Sequence, residues 1–307
     1  MSPVVTYVLP IFFLILLGWG LKSSHFLEDN GWKALERITY FVLFPALLIS
    51  TLAESELTYF AIGPVAVSIA GAILFISVLL LLLRRHLPID GPAFTSVYQG
   101  CVRMNTFIGL SIAESLFGEK GLSAAALAIA IIVPLVNVSC VMMLAWFGSS
   151  TTSRKKSILI ISCLRNPLII ASAIGLALNI TGLGMPSVLG TMTRILASAA
   201  LPVGLLAVGA ALNFEALRLA RGIAMASSVV KLVVLPLTTY FLLRLFDVTG
   251  LEASIAVLFN ALPTATSAYI LAGQYGGDAQ LMARLITFQT LISMISLPIV
   301  LTYLDFS

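Results

Sequence analysis

Met104-Asn105-Thr106-Phe107 interrupts one apolar segment of the chain, and Leu262-Pro263-Thr264-Ala265 interrupts another. Each break is followed by an apolar half-segment, a Gly-rich turn and a further apolar segment. The turns are Phe117-Gly118-Glu119 after the first break and Tyr275-Gly276-Gly277 after the second. Thr106 and Thr264 stand 158 residues apart. Interrupted helices at matching positions of two halves point to a duplicated membrane protein with its site near the bilayer midplane.

Composition agrees. The 307 residues are 60% hydrophobic and 10% charged, with a mean hydropathy of +1.08, whereas a soluble domain carries about 25% charged residues. Apolar runs of about 20 residues suit helices that cross roughly 30 Å of hydrocarbon, and barrel strands would alternate over roughly 10 residues. Ten spans are expected, near 3–22, 34–53, 60–83, 92–117, 121–147, 158–180, 188–211, 222–244, 251–274 and 280–304. The first run lacks a preceding basic residue and is followed by Lys22 rather than a small-residue cleavage site, so it reads as a helix and not as a signal peptide.

The net charge of +4 is a matter of topology rather than of nucleic-acid binding. Loops after odd-numbered spans, with their flanks, hold Lys22, Lys33, Arg37, Arg84, Arg85, Arg154, Lys155, Lys156, Arg165, Arg218, Arg221 and Arg284. Those after even-numbered spans hold Lys120, Arg194 and Arg244. Basic residues in short loops mark the cytoplasmic face, so both termini are expected outside a plasma (inner) membrane. Five spans then precede a cytoplasmic linker, 149–157, and five follow it. An odd number of crossings inverts the second half, 158–307, relative to the first, 1–148. The expected fold is an all-α membrane protein of ten helices in two inverted five-helix repeats, its fourth and ninth spans broken.

A second pair of markers supports the duplication. Pro45, in Leu43-Phe44-Pro45-Ala46, and Pro202, in Ala200-Leu201-Pro202-Val203, stand 157 residues apart. A mid-membrane proline removes one backbone donor and displaces the carbonyl four residues earlier, so both are expected to kink their helices.

These residues resemble the auxin efflux carrier family of transporters, which shares the fold of the bile acid and auxin transporter superfamily. The resemblance rests on Leu9-Pro10 and Gly18, Phe44-Pro45-Ala46-Leu47, Asn105-Thr106, Pro202-Val203-Gly204, Ala261-Leu262-Pro263-Thr264, Ala272-Gly273-Gln274-Tyr275 and Leu297-Pro298, in that order along the whole chain. It implies unwound fourth and ninth helices crossing at the centre and a carboxylate or similar organic anion bound there. It also implies an elevator-like motion of a transport domain against a scaffold domain, each drawn from both repeats, and a homodimer. The long central loop of many plant members is absent.

The breaks carry suitable chemistry. Asn105 and Thr106 at the first, and Asn260 and Thr264 around Pro263 at the second, offer neutral hydrogen-bonding groups. They suit an anion, or equally the backbone groups that the breaks set free. Half-helices starting after each break turn unpaired N–H groups and a positive dipole end towards an anion. Thr266 and Ser267 lie one turn farther on as supporting groups. Arg103, two residues before the first break, is placed to meet the substrate, to neutralise Glu114, or to reach the cytoplasmic surface. Lys231 is a second intramembrane cation, and charges within spans are functional candidates by default. Glu114 is the carboxylate best placed to carry a coupling proton, although it lies only three residues before Phe117-Gly118. Asn137 and Gln289 are candidates for lining the cavity or for bonding between helices.

The coupling ion, H+ or Na+, is left open by the sequence, and no other cofactor is expected. Cys101, Cys140 and Cys163 read as small apolar side chains, and His25 and His86 as loop residues, so no metal site is expected. No phosphate-binding G-x-x-x-x-G-K-[ST] motif and no catalytic constellation is visible, which speaks against an ATP-driven pump and an intramembrane enzyme. A secondary carrier of organic anions is the leading expectation. An anion-sensing receptor or channel-like protein that binds the same ligand is the alternative.

Overall fold

A computed structural model supplies the structure, and it describes residues 3–55, 62–149, 165–217 and 222–303. All regular structure among them is helical, the open form of backbone that satisfies its own polar groups inside hydrocarbon. The expected linker, 149–157, lies outside the described residues apart from Ser149.

Helix α1 covers Pro3–Ser23. Helix α2 (Asp29–Ile38) passes through a π turn (Thr39–Leu43) into α3 (Phe44–Glu54), and α4 spans Ile62–Leu83. Then come α5 (Gly91–Val102), α6 (Thr106–Phe147), α7 (Pro167–Ile180), α8 (Ser187–Ala210) and the single turn α9 (Phe214–Leu217). Helix α10 (Ile223–Val229) passes through a second π turn (Val230–Val234) into α11 (Leu235–Leu245). The chain continues with α12 (Gly250–Ala261), α13 (Ser267–Tyr275) and α14 (Ala279–Tyr303).

Both π turns sit just ahead of a proline. The Phe44 N–H reaches back to the Thr39 carbonyl before Pro45, and the Leu235 N–H reaches the Val230 carbonyl before Pro236. Widening the turn relieves the crowding between a proline ring and the carbonyl four residues earlier, so the helix continues through the proline. Pro202, by contrast, lies inside the continuous α8.

Among the described residues seven stretches are long and apolar enough to cross a membrane, where the sequence suggests ten spans. The difference has three sources. The fourth and fifth expected spans fall in one stretch, Gly91–Phe147, because they follow each other without a loop: at Gly118, where the turn is expected, the backbone leaves helical geometry (φ 61°, ψ −148°) and a second helix begins at once, so α6 is two helices meeting at that kink. Described residues of the sixth span begin only at 165, leaving the short Pro167–Ile180. The ninth is divided into α12 and α13, each too short alone.

The chain forms two compact units, and each draws segments from both halves of the sequence. The first comprises Met1–Phe60, Phe107–Val133 and Leu164–Leu212; the second comprises Ala61–Thr106, Pro134–Cys163 and Asn213–Ser307.

In the first unit α1 and α8 meet backbone to backbone. A Cβ on Gly18 would collide with the Leu206 carbonyl, and one on Gly209 with the Ile15 carbonyl. Small residues permit such close approach, on which helix association in lipid depends. Helix α3 lies against α7, where the Asn179 side-chain amide donates to the carbonyls of Leu52 (3.0 Å) and Ser55 (2.6 Å). Those carbonyls belong to the last turn of α3 and the residue after it, groups that a helix end leaves without partners.

In the second unit Asp90 caps α5, its Oδ1 accepting the Ala93 N–H at 2.9 Å. The Ser96 hydroxyl ties that helix to the Asp278 carbonyl at 2.8 Å. Tyr98, fully buried, meets the Ser77 hydroxyl of α4 at 2.7 Å.

Candidate functional site

Both sequence breaks are breaks in the structure, and both lie in the second unit. Helix α5 stops where Arg103 turns extended (φ −74°, ψ 155°), and α6 begins only at Thr106. Helix α12 stops where Leu262 turns extended (φ −64°, ψ 150°), and α13 begins at Ser267. Leu262 precedes Pro263, and the proline ring disfavours helical geometry in the residue before it. The first break contains neither proline nor glycine.

One backbone hydrogen bond joins the two, from the Asn105 N–H to the Pro263 carbonyl at 2.8 Å. Gln289 of α14 clips the pair together. Its Oε1 accepts the Thr264 N–H at 3.0 Å, and its Nε2 donates to the Gly100 carbonyl at 3.0 Å. The Thr264 hydroxyl completes the link by donating to the Gln99 carbonyl at 3.4 Å. Thus two backbone groups freed by the unwinding find partners 25 and 189 residues away in sequence, as burial demands.

Asn105, Asn260 and Thr264 are buried, and Thr106 is half-buried. The Asn260 Nδ2 donates to the Thr239 hydroxyl at 2.7 Å, while its Oδ1 is buried without a partner among the described residues. Thr239 passes its own proton to the Leu235 carbonyl at 2.8 Å. Asn260 is therefore anchored on one side and open on the other.

Arg103 is held by neutral groups. Its guanidinium donates to the Asn137 Oδ1 at 3.2 Å and to the Ser267 hydroxyl at 3.3 Å. It thus ties the end of α5 to α6 and to the first residue of α13. Neither partner cancels its charge. Of the roles open to Asn137, bonding between segments is the one it fills; Glu114 lies in the first unit.

Lys231 occupies the second π turn, 0% exposed, and its Nζ has no hydrogen-bond partner among the described residues. Single π turns occur often at functional sites. One helical turn earlier the Ser227 hydroxyl meets the Cys101 thiol of α5 at 3.3 Å.

One residue escapes the sequence reading. Gln99 is 0% exposed, and neither end of its side-chain amide has a partner among the described residues. It stands one turn before the break, with its carbonyl already taking the Thr264 hydroxyl. A lone glutamine inside Val97-Tyr98-Gln99-Gly100-Cys101-Val102 is the signal that could have found it, since a polar group within a span invites a functional reading. With Arg103 and Asn260 it gives the helix ends around the breaks buried polar atoms that lack partners among the described residues.

Known proteins resemble the chain over nearly its whole length. An uncharacterised transporter of Methanothermobacter thermautotrophicus is 27% identical over 297 residues, covering 95% of each chain. An uncharacterised transporter of Methanocaldococcus jannaschii is 25% identical over 299 residues, covering 94% of each. A Rhizobium meliloti protein named "Putative malonate transporter" is 27% identical over 313 residues, covering 95% of this chain and 93% of that protein. Residues 3–301 match the family described as membrane transport protein. With its long apolar helices, the chain is a multi-pass membrane protein that belongs to this family, the auxin efflux carriers.

Proposed function

We propose that the protein is a secondary transporter of a small organic carboxylate, with the two helix breaks as its substrate site. The observation that carries this reading is the setting of Arg103: a guanidinium at the break, held in place by an amide and a hydroxyl and paired with no carboxylate among the described residues. Such a group keeps its charge for a ligand, and planar bidentate donors match a carboxylate. The Asn105 amide, the open side of Asn260 and the unpartnered Gln99 amide supply neutral hydrogen bonds that fix orientation.

The relative named for malonate supports a short dicarboxylate. The two compact units, each drawing on both halves of the sequence, are in keeping with an inverted repeat whose fourth and ninth spans cross. In this reading the second unit, which carries the breaks, shuttles the anion in elevator fashion across a plasma membrane with both termini outside.

Uptake of labelled malonate into proteoliposomes, with and without proton and sodium gradients, tests the proposal. Gradient-driven accumulation that falls at least about tenfold in Asn105→Ala is expected, corresponding to the loss of about 1.4 kcal/mol of binding. Accumulation unchanged in that variant overturns the site. Equilibration that ignores every gradient overturns the coupled carrier in favour of a channel-like protein.

A further inference from the structure

The first unit holds a half-open cavity of about 770 Å³ between α1, α3, α6 and α8. Pockets of roughly 300–1,000 Å³ hold small organic molecules.

Its lining is unlike that of the breaks. Glu54, Glu114 and Glu119 face it together with Arg194, but Arg194 is spent on Glu54 in an ion pair of 2.8 Å. Among the described residues neither Glu114 nor Glu119 makes an ion pair, and Lys120 does not line the cavity. Two carboxyl groups on the wall therefore have no cationic partner among the described residues.

The hydroxyls on the wall add to this polarity. Ser50 donates to the Ala46 carbonyl at 2.9 Å, Ser115 to the Tyr7 carbonyl at 3.3 Å, and Ser198 to the Ile195 carbonyl at 2.8 Å. A hydroxyl whose proton is committed offers only lone pairs to a ligand. Ser111, one turn before Glu114, lines the same cavity; it is 7% exposed, and its Oγ has no partner among the described residues. A buried polar atom left unpaired is costly unless a ligand satisfies it.

The wall thus combines two carboxyl groups and several hydroxyls that accept hydrogen bonds with the apolar side chains of Ile11, Leu14, Leu47, Leu201 and Leu205. The one cation among the lining residues, Arg194, is already engaged by Glu54, so an organic anion would meet two further carboxyl groups there and no counter-charge left over for it. A bare metal ion is also a poor fit: no three His, Cys, Asp or Glu side chains converge among the described residues, and the volume exceeds what one ion fills.

We propose that this cavity binds an organic ammonium ion with N–H donors on an apolar body, its nitrogen between Glu114 and Ser111. The site is independent of the carboxylate reading of the breaks and takes a ligand of opposite charge.

Calorimetric titration of the purified full chain with phenethylamine at neutral pH tests it, beside its N,N,N-trimethyl analogue and phenylacetate. Saturable binding of phenethylamine is expected, with both comparison ligands at least about tenfold weaker, because they lack the N–H donors or the positive charge. Glu114→Gln is expected to weaken phenethylamine at least about tenfold, and Ser111→Ala about threefold. Should Glu114→Gln fail to fold, Glu119→Gln and Ser111→Ala carry the test. Absence of saturable binding overturns the proposal, as does equal binding of the trimethyl analogue, tighter binding of phenylacetate, or full affinity in the carboxylate variants. None of these readings depends on malonate transport.

Discussion

The two helix breaks share one hydrogen bond but are held open by different means. At the second, Pro263 denies Leu262 a helical conformation, so local chemistry alone favours the interruption. At the first, Arg103-Met104-Asn105 contains no residue that forbids a helix. There the interruption depends on partners distant in sequence: Asn137 and Ser267 on the Arg103 guanidinium, the Pro263 carbonyl on the Asn105 N–H, and Gln289 on the Gly100 carbonyl. One break is favoured by the chain and also clipped by the fold, while the other is imposed by the fold alone. Disturbing the shared clip should therefore damage both, disturbing the arginine mainly the first, and removing the proline neither.

The largest effect belongs to Gln289→Leu. This change strips partners from the Thr264 N–H and the Gly100 carbonyl, both in a fully buried setting. An unsatisfied buried group costs about 1–3 kcal/mol, so a loss of about 3 kcal/mol or more is expected for the two together. Thermal melting in detergent checks it, and melting within a degree of the parent protein would show that Gln289 is not the clip.

The same contrast explains what could be read in advance. Pro263, Gly118 and Gly276 announce themselves locally, the glycines with φ of 61° and 78°. The apolar runs announce themselves by length, and Gly118 separates two of them with a kink and no intervening loop. Arg103 drew attention as an intramembrane charge, yet its partners lie 34 and 164 residues away in sequence, and no local pattern names them. Gln99 belongs to no motif, and its amide stands out only in the fold, where it is buried without a partner among the described residues. The π turns before Pro45 and Pro236 were equally hidden, since a proline signals strain in a helix but not the way it is relieved.

Arg103→Gln is expected to have an intermediate effect, and to separate the breaks. Glutamine can keep one of the two hydrogen bonds, so stability should fall by about 1.5–3 kcal/mol, the range for a lost bond to a charged group. Malonate uptake should fall far more than stability, because the charge itself is gone. Uptake retained within about twofold, with the melting temperature lowered, would make Arg103 a strut between Asn137 and Ser267 and remove its role in holding the anion.

Pro263→Ala should matter least, although proline is the feature that makes the second break visible. In a helix interior proline costs about 3 kcal/mol, so its removal makes a continuous α12–α13 cheaper by that order. A continuous helix, however, would return the Thr264 N–H to the Asn260 carbonyl, four residues back, and take it from Gln289. It would also turn the carbonyl at 263 towards the N–H four residues later, in competition with Asn105. Gln289 would then leave a buried acceptor unpaired beside the first break. These losses offset the helical gain, so the alanine variant should keep its break, melt within about 1 kcal/mol of the parent and retain most malonate uptake. Protection of the amides at 263–266 against hydrogen exchange measures the point directly: an alanine variant protected as an uninterrupted helix would mean that the proline, and not the tertiary clip, holds the second break open.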